Sequence, residues 1–268
     1  FQDNYGISKY EETIQKYRNN LSNELGLLKK VIPPSDSTSL KKINLSNNIN
    51  ERKKDFINIV LPIIVDQNRK IIVLRQRLID SKNYLNQNKT LSQTDQSFIK
   101  NLATKYSVST KNRHKIDIIN DLLISVDIIP NSIVLAQAAN ESGWGSSRFS
   151  REFNALFGQY TYDDKEGIVP LRRDEGEKHL IKYFSSINKS VESYFNNINT
   201  HYAYNEFREI RKALRDQNNL NDPLYISLLA NKLNVYADDS NYVDIINSII
   251  NVNKLTQFDN AEYLTTKL

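Results

Sequence analysis

Glu141 closes a nearly all-apolar, alanine-rich run that begins at Ile133. Pro130 and the capping pair Asn131-Ser132 stand before that run and Gly143 just after it, so it reads as a central buried helix with Glu141 in its last turn. A carboxylate at that end faces the negative pole of the helix dipole and loses water to its apolar neighbours. Both effects disfavour the charged form and raise its pKa. An acid that keeps its proton near neutrality can deliver it to the leaving oxygen of a glycosidic bond. Taken alone, the position reads more simply as that of an ordinary helix-terminal glutamate in water.

Composition removes other chemistries. The chain has no Cys, which excludes a disulfide framework, a thiolate nucleophile and a Cys-based zinc site. Its three His, at 114, 179 and 201, show no metal-ligand spacing, so neither a metal nor a cofactor is expected. The net charge of +5 is spread among acidic residues, as in Glu51-Arg52-Lys53-Lys54-Asp55, without the concentrated basic stripe that nucleic acid requires. No apolar run approaches the roughly 18 to 20 residues that span a membrane. Met is absent even from the first position, which leads to the expectation of an upstream export signal or membrane anchor.

The elements that must position Glu141 are mostly helical, since only seven Gly and six Pro interrupt 268 residues rich in Leu, Ile, Lys, Asn and Glu. Residues 7–32 carry a heptad-like seam (Ile7, Ile14, Leu21, Leu28) broken by Glu24, and Pro33-Pro34 opens a linker over 33–49. A long amphipathic helix over about 50–86, bent at Pro62, and another capped near Ser92 complete an N-terminal helical region, 1–110. A second unit, 111–268, starts with a helix over 116–126 and the Glu141 helix. Between Asn154 and His179 the helical period is lost, and alternation around the Glu166-Gly167 turn predicts a short β-hairpin. Helices return at about 188–200, 204–216, 223–234 and 239–252.

Around Glu141 the sequence Glu141-Ser142-Gly143-Trp144-Gly145-Ser146-Ser147-Arg148-Phe149, then Phe153-Asn154-Ala155-Leu156-Phe157-Gly158-Gln159-Tyr160, resembles the glucosaminidase family of peptidoglycan hydrolases. That family includes flagellar rod-assembly muramidases and autolysins. Tyr236-Ala237-Asp238-Asp239-Ser240-Asn241-Tyr242 is similar to its C-terminal tyrosine motif. The segments Val169 to Gly176, Asn199 to Tyr204, Arg52 to Pro62 and Leu91 to Val108 resemble its bacterial Bax-like branch, so the likeness spans about 50–250.

The resemblance implies a lysozyme-like fold, mainly α with a small β-hairpin lobe, preceded by an N-terminal helical extension. It implies cleavage of a glycan of N-acetylglucosamine and N-acetylmuramic acid, most simply as an endo-β-N-acetylglucosaminidase, outside the cytoplasmic membrane. Glu141 would be the acid and Tyr236 would face it. Glu175 would be the second carboxylate, with Glu166 and Glu177 as alternatives. Substrate would meet Trp144, Ser147, Asn154, Phe157, Gly158, Gln159, Tyr160, His201 and Tyr242. Plain core burial competes for each aromatic, more strongly for Trp144 and Phe157 than for Tyr236. A glycan-binding assembly factor with little turnover, or a protein partner or anchor through the N-terminal helices, is the reading from another class.

Overall fold

A computed structural model describes residues 30–31, 34, 38–169 and 178–263. Along them run strand β1 (Lys30–Val31), a 3-10 turn (Leu40–Lys42), and helices α1 (Ile49–Asn86), α2 (Gln93–Lys105), α3 (Lys115–Ser125), α4 (Asn131–Ser142) and α5 (Arg148–Phe153). Strands β2 (Tyr160–Thr161), β3 (Gly167–Ile168) and β4 (Leu180–Lys182) follow. Then come α6 (Ile187–Thr200), α7 (Asn205–Asp216), α8 (Pro223–Ala230), α9 (Tyr242–Val252), a 3-10 turn (Leu255–Phe258) and β5 (Glu262–Tyr263). The protein is mainly α with a small β lobe, the class that the sequence predicts. Among the described residues, no helix is long and apolar enough to cross a membrane.

Helix α4 is buried along almost its whole length, from Asn131 to Ala139. Its alanines, at 136, 138 and 139, let α9, α1 and the 255–258 turn pack closely around it. Each Leu, Ile or Val that it buries contributes roughly 1.5–3 kcal/mol. The helix stops where Gly143 takes the left-handed conformation (φ +56°), a backbone shape that costs Gly nothing. Its start differs from the expectation. Asn131 and Ser132 lie inside the first turn, and the cap comes from 127 residues away: Asp259 Oδ1 accepts from the Ser132 amide at 2.7 Å and Oδ2 from the Ser132 hydroxyl at 2.8 Å.

Helix α1 continues through Pro62 and lies along α3, α4 and α6. Phe56, Val60, Ile64 and Leu78 enter the same core as α4. The segment read as a linker, 33–49, is partly structural, since Leu40 and Ile43 are fully buried. The predicted helix 7–32 lies outside the described residues except for its end. That end is a strand instead: Lys30 and Val31 pair in parallel with Glu262 and Tyr263.

A second polar cluster ties the C-terminus of α3 to α7. Arg211 is fully buried and donates to the carbonyls of Ile124, Ser125, Asp127 and Ile128, and to Asn199 Oδ1 at 2.7 Å. A cation there satisfies helix-terminal carbonyls that would otherwise be orphaned. Burial pulls the Arg211 guanidinium down to about 10 despite the attraction of Asp127, which is itself bonded by Arg215.

The β lobe is antiparallel but not the simple hairpin predicted. Strands β2 and β3 do not pair with each other; β4 lies between them, with Thr161 opposite Leu180 and Ile168 opposite Ile181. Gly167 belongs to β3 rather than to the turn, opposite Lys182, and any Cβ there would come within 2.5 Å of the Leu180 side chain.

Candidate active site

The end of α4 and the segment 154–158 meet at Glu141. Asn154, left-handed at φ +54°, ends α5 and donates from Nδ2 to the Phe184 carbonyl at 2.9 Å. Next, the Leu156 amide donates to Ser190 Oγ at 3.2 Å. The Phe157 ring stacks on Tyr194, centroids 4.1 Å apart, and the Phe157 carbonyl accepts from the Tyr236 hydroxyl at 2.9 Å. These fastenings bring Gly158, at φ +60°, so close that a Cβ would stand 3.3 Å from Glu141 Oε2. The motif's glycine therefore admits the carboxylate, and its backbone forms one wall of the site.

Glu141 itself is half-buried. Burial drives its pKa upward, while hydrogen bonds from Asn140 and from Tyr242 favour the charged form and offset part of that rise. Below it, Tyr242 is 2% exposed and accepts at its hydroxyl oxygen from Gln137 Nε2 at 2.8 Å. The Tyr242 and Tyr236 rings are stacked at 5.7 Å and nearly parallel. Burial pushes both phenols well above the ordinary range, so they stay protonated and can donate.

The expected substrate-binding residues separate into different surroundings. Tyr242 and Phe157, expected to meet substrate, are both almost fully buried, and for Phe157 this is the core burial that competed with the site role. Ser147 is the N-cap of α5, accepting from the Ser150 amide. Trp144 is half-buried, edge-on to Phe56 at 5.6 Å with Lys53 Nζ 4.9 Å from its centroid, so it wedges the end of α4 against α1. Tyr160 is 64% exposed, on β2, its ring 4.3 Å from that of His179. His201 is exposed and neighbours Tyr204, which in turn neighbours Tyr236. Beside Gly158, the buried Gln159 Oε1 has no hydrogen-bond partner among the described residues.

Of the three candidates for a second carboxylate, Glu175 and Glu177 lie outside the described residues. Glu166 is on the β lobe, exposed and paired with Lys182 Nζ at 2.7 Å. Among the described residues, no group of His, Asp and Glu is disposed to hold a metal ion. Sequence reasoning missed Gln137 and Tyr194. The available signal was the Gln137 amide, set between alanines in an apolar run, four residues and thus one helical turn before Glu141.

The chain is similar to known proteins in sequence and, over part of its length, in structure. The chain is 39% identical over 180 residues to "Protein bax" of Escherichia coli (strain K12), which covers 67% of this chain and 62% of the relative's length. The catalytic domain of the autolysin Auto from Listeria monocytogenes is 18% identical, with a TM-score of 0.37, over 64% of this chain and 90% of that domain. The glucosaminidase family model, described as mannosyl-glycoprotein endo-β-N-acetylglucosaminidase, matches residues 116–255, from α3 to the turn after α9. Because that match takes in just over half of the chain and both motifs that meet at Glu141, the protein belongs to the glucosaminidase family.

Proposed function

We propose that the protein hydrolyses the glycan strand of bacterial peptidoglycan as an endo-β-N-acetylglucosaminidase, with Glu141 as the proton donor. The observation that carries this reading is the Glu141 carboxyl, half-buried at the tip of α4 with Gly158 drawn against one of its oxygens. Desolvation favours the protonated form that must be present before the bond breaks. Hydrogen bonds from Asn140 and Tyr242 stabilise the anion that remains once the proton has gone to the leaving oxygen.

Tyr236 holds the Gly158 wall through the Phe157 carbonyl and orients the reacting group beside the acid. Glu175, 34 positions after Glu141 in the sequence and outside the described residues, is the proposed second carboxylate, as base or nucleophile according to its distance from the acid. Tyr160 and His201 offer exposed rings against which the apolar faces of sugars can pack. Such a substrate puts the work outside the cytoplasmic membrane.

Glu141→Gln keeps the shape and removes the acid. It should lower release of soluble fragments from purified sacculi by at least about a hundredfold, with an unchanged melting curve. Normal lysis by that variant would refute the assignment, and a wild-type protein that binds sacculi without clearing a peptidoglycan gel would favour a glycan-binding factor. Mass spectrometry of the products, by the sugar at the new reducing end, identifies the bond cut.

A further inference from the structure

Behind the carboxylate runs a chain of three polar groups, two of which, Tyr194 and Gln137, lie outside both motifs. Tyr194, on α6, is fully buried and packed among Phe157, Phe195 and Tyr236, and its hydroxyl donates to Gln137 Oε1. Gln137, on α4 and also fully buried, donates from Nε2 to the Tyr242 oxygen at 2.8 Å. Tyr242, at the start of α9, is near enough to Glu141 for its hydroxyl to favour the carboxylate anion. An amide has a fixed acceptor end and a fixed donor end, whereas a phenol has one hydrogen and can turn it either way. Once Tyr194 claims the carbonyl end of Gln137, the amide end must face Tyr242. The Tyr242 oxygen is then an acceptor on that side, and its only hydrogen is left for Glu141.

We propose that Gln137, pinned by Tyr194, is a positioning residue that fixes the direction of the Tyr242 hydroxyl, so that its hydrogen is held toward Glu141. The alternation of donor and acceptor along the chain gives it one polarity. Were the Gln137 amide turned over, its oxygen would take the Tyr242 hydrogen, and Glu141 would lose a donor in a site where water is scarce. The relay therefore serves the carboxylate anion specifically and gives the protonated acid no comparable help. The other ionisable groups facing Glu141 are the phenols of Tyr194 and Tyr236, both neutral, and among the described residues no cation pairs with it. The direction of one hydroxyl consequently weighs more than it would beside a charged partner.

The catalytic importance of this relay rests on Glu141 being the acid, but the relay itself is tested by titration. The Glu141 carboxyl carbon is followed against pH by NMR in protein labelled at glutamate, with Glu141→Gln identifying the signal. Tyr242→Phe removes the donor and should raise the Glu141 pKa by about one unit. Tyr194→Phe deletes one buried hydroxyl that touches neither Glu141 nor substrate, and should raise it by roughly half as much. The alkaline limb of kcat for sacculus lysis should move by the same amounts, with KM unchanged. A hydroxyl with a merely structural role would lower the melting temperature of Tyr194→Phe and leave both titrations where they were; that result overturns the relay. If Glu141→Gln kept full activity while the NMR shifts appeared, the relay would stand and the assignment of the acid would fall.

Discussion

Replacing Gly158 by Ala tests the wall and the carboxylate together. Gly158 sits at φ +60°, where a side chain costs about 1–2 kcal/mol. Unfolding in urea should therefore show a loss of that order, and the melting temperature should fall by a few degrees. The chemical effect is separate. The new methyl would stand 3.3 Å from Glu141 Oε2, tighter than ordinary contact, so the carboxylate must retreat by a few tenths of an ångström. The methyl also excludes water from Oε2, which acts in the same direction as the burial already raising the Glu141 pKa. If Glu141 is the proton donor proposed above, a displaced acid loses alignment with its leaving group, and misplacement by about 1 Å can cost a hundredfold. A loss of roughly tenfold in kcat is expected, with the alkaline limb displaced upward. The rate is measured on purified sacculi well below the melting temperature, so that unfolding cannot imitate the effect. If Gly158→Ala lost stability yet kept both the wild-type rate and the wild-type pH profile, the closeness of this wall to the reacting acid would be refuted.

Two further outcomes concern the scaffold. Burial raises Asp259 to about 7, against a reference near 3.8. Between those values the folded chain holds a proton that the unfolded chain releases, so the contribution of Asp259 to stability is greatest below about pH 4 and falls as pH rises to about 7, by up to ~4 kcal/mol. Asp259→Asn should flatten that slope in urea titrations at pH 4 and 7; a slope unchanged from wild type would show that Asp259 does not titrate as described. Arg211→Met leaves carbonyls at the end of α3 unpaired and removes one of three arginines around Asp127, costing about 3–5 kcal/mol. Activity per folded molecule should be unaltered, and a variant as stable as wild type in urea would contradict the role given to this cluster.

Much of the helical architecture could be read from periodicity, because α1, α3, α4 and α9 bury faces dictated by local spacing. Ser92 and Gly143 act as the caps their residue types suggest. Legibility failed where the partner is distant in sequence. The N-terminus of α4 is capped by Asp259 rather than by its own Ser132, and the orphan carbonyls of α3 go to Arg211, 86 and more positions away. In the lobe, β4 inserts between β2 and β3, a pairing that alternation within a two- or three-residue strand cannot specify. At the site, Glu141 and Gly158 were visible as chemistry and as a motif. Tyr242 was visible as a motif tyrosine, but its place beneath the acid depends on how α9 packs on α4.

That packing explains why the sequence keeps so many aromatic residues around a single carboxylate. A purely apolar surround would hold Glu141 protonated but would oppose the loss of its proton, and an open polar one would leave it ionised from the start. Stacked phenols meet both needs: their rings exclude water, and their hydroxyls remain donors because burial keeps them neutral. Tyr236 joins the two sides of the site, its ring lying on Tyr242 beneath the acid and its hydroxyl holding the Phe157 carbonyl that sets Gly158 above it. The floor and the wall around Glu141 therefore cannot shift independently, which under the proposed role keeps a carboxyl that is neutral before the step and anionic after it in one place for both.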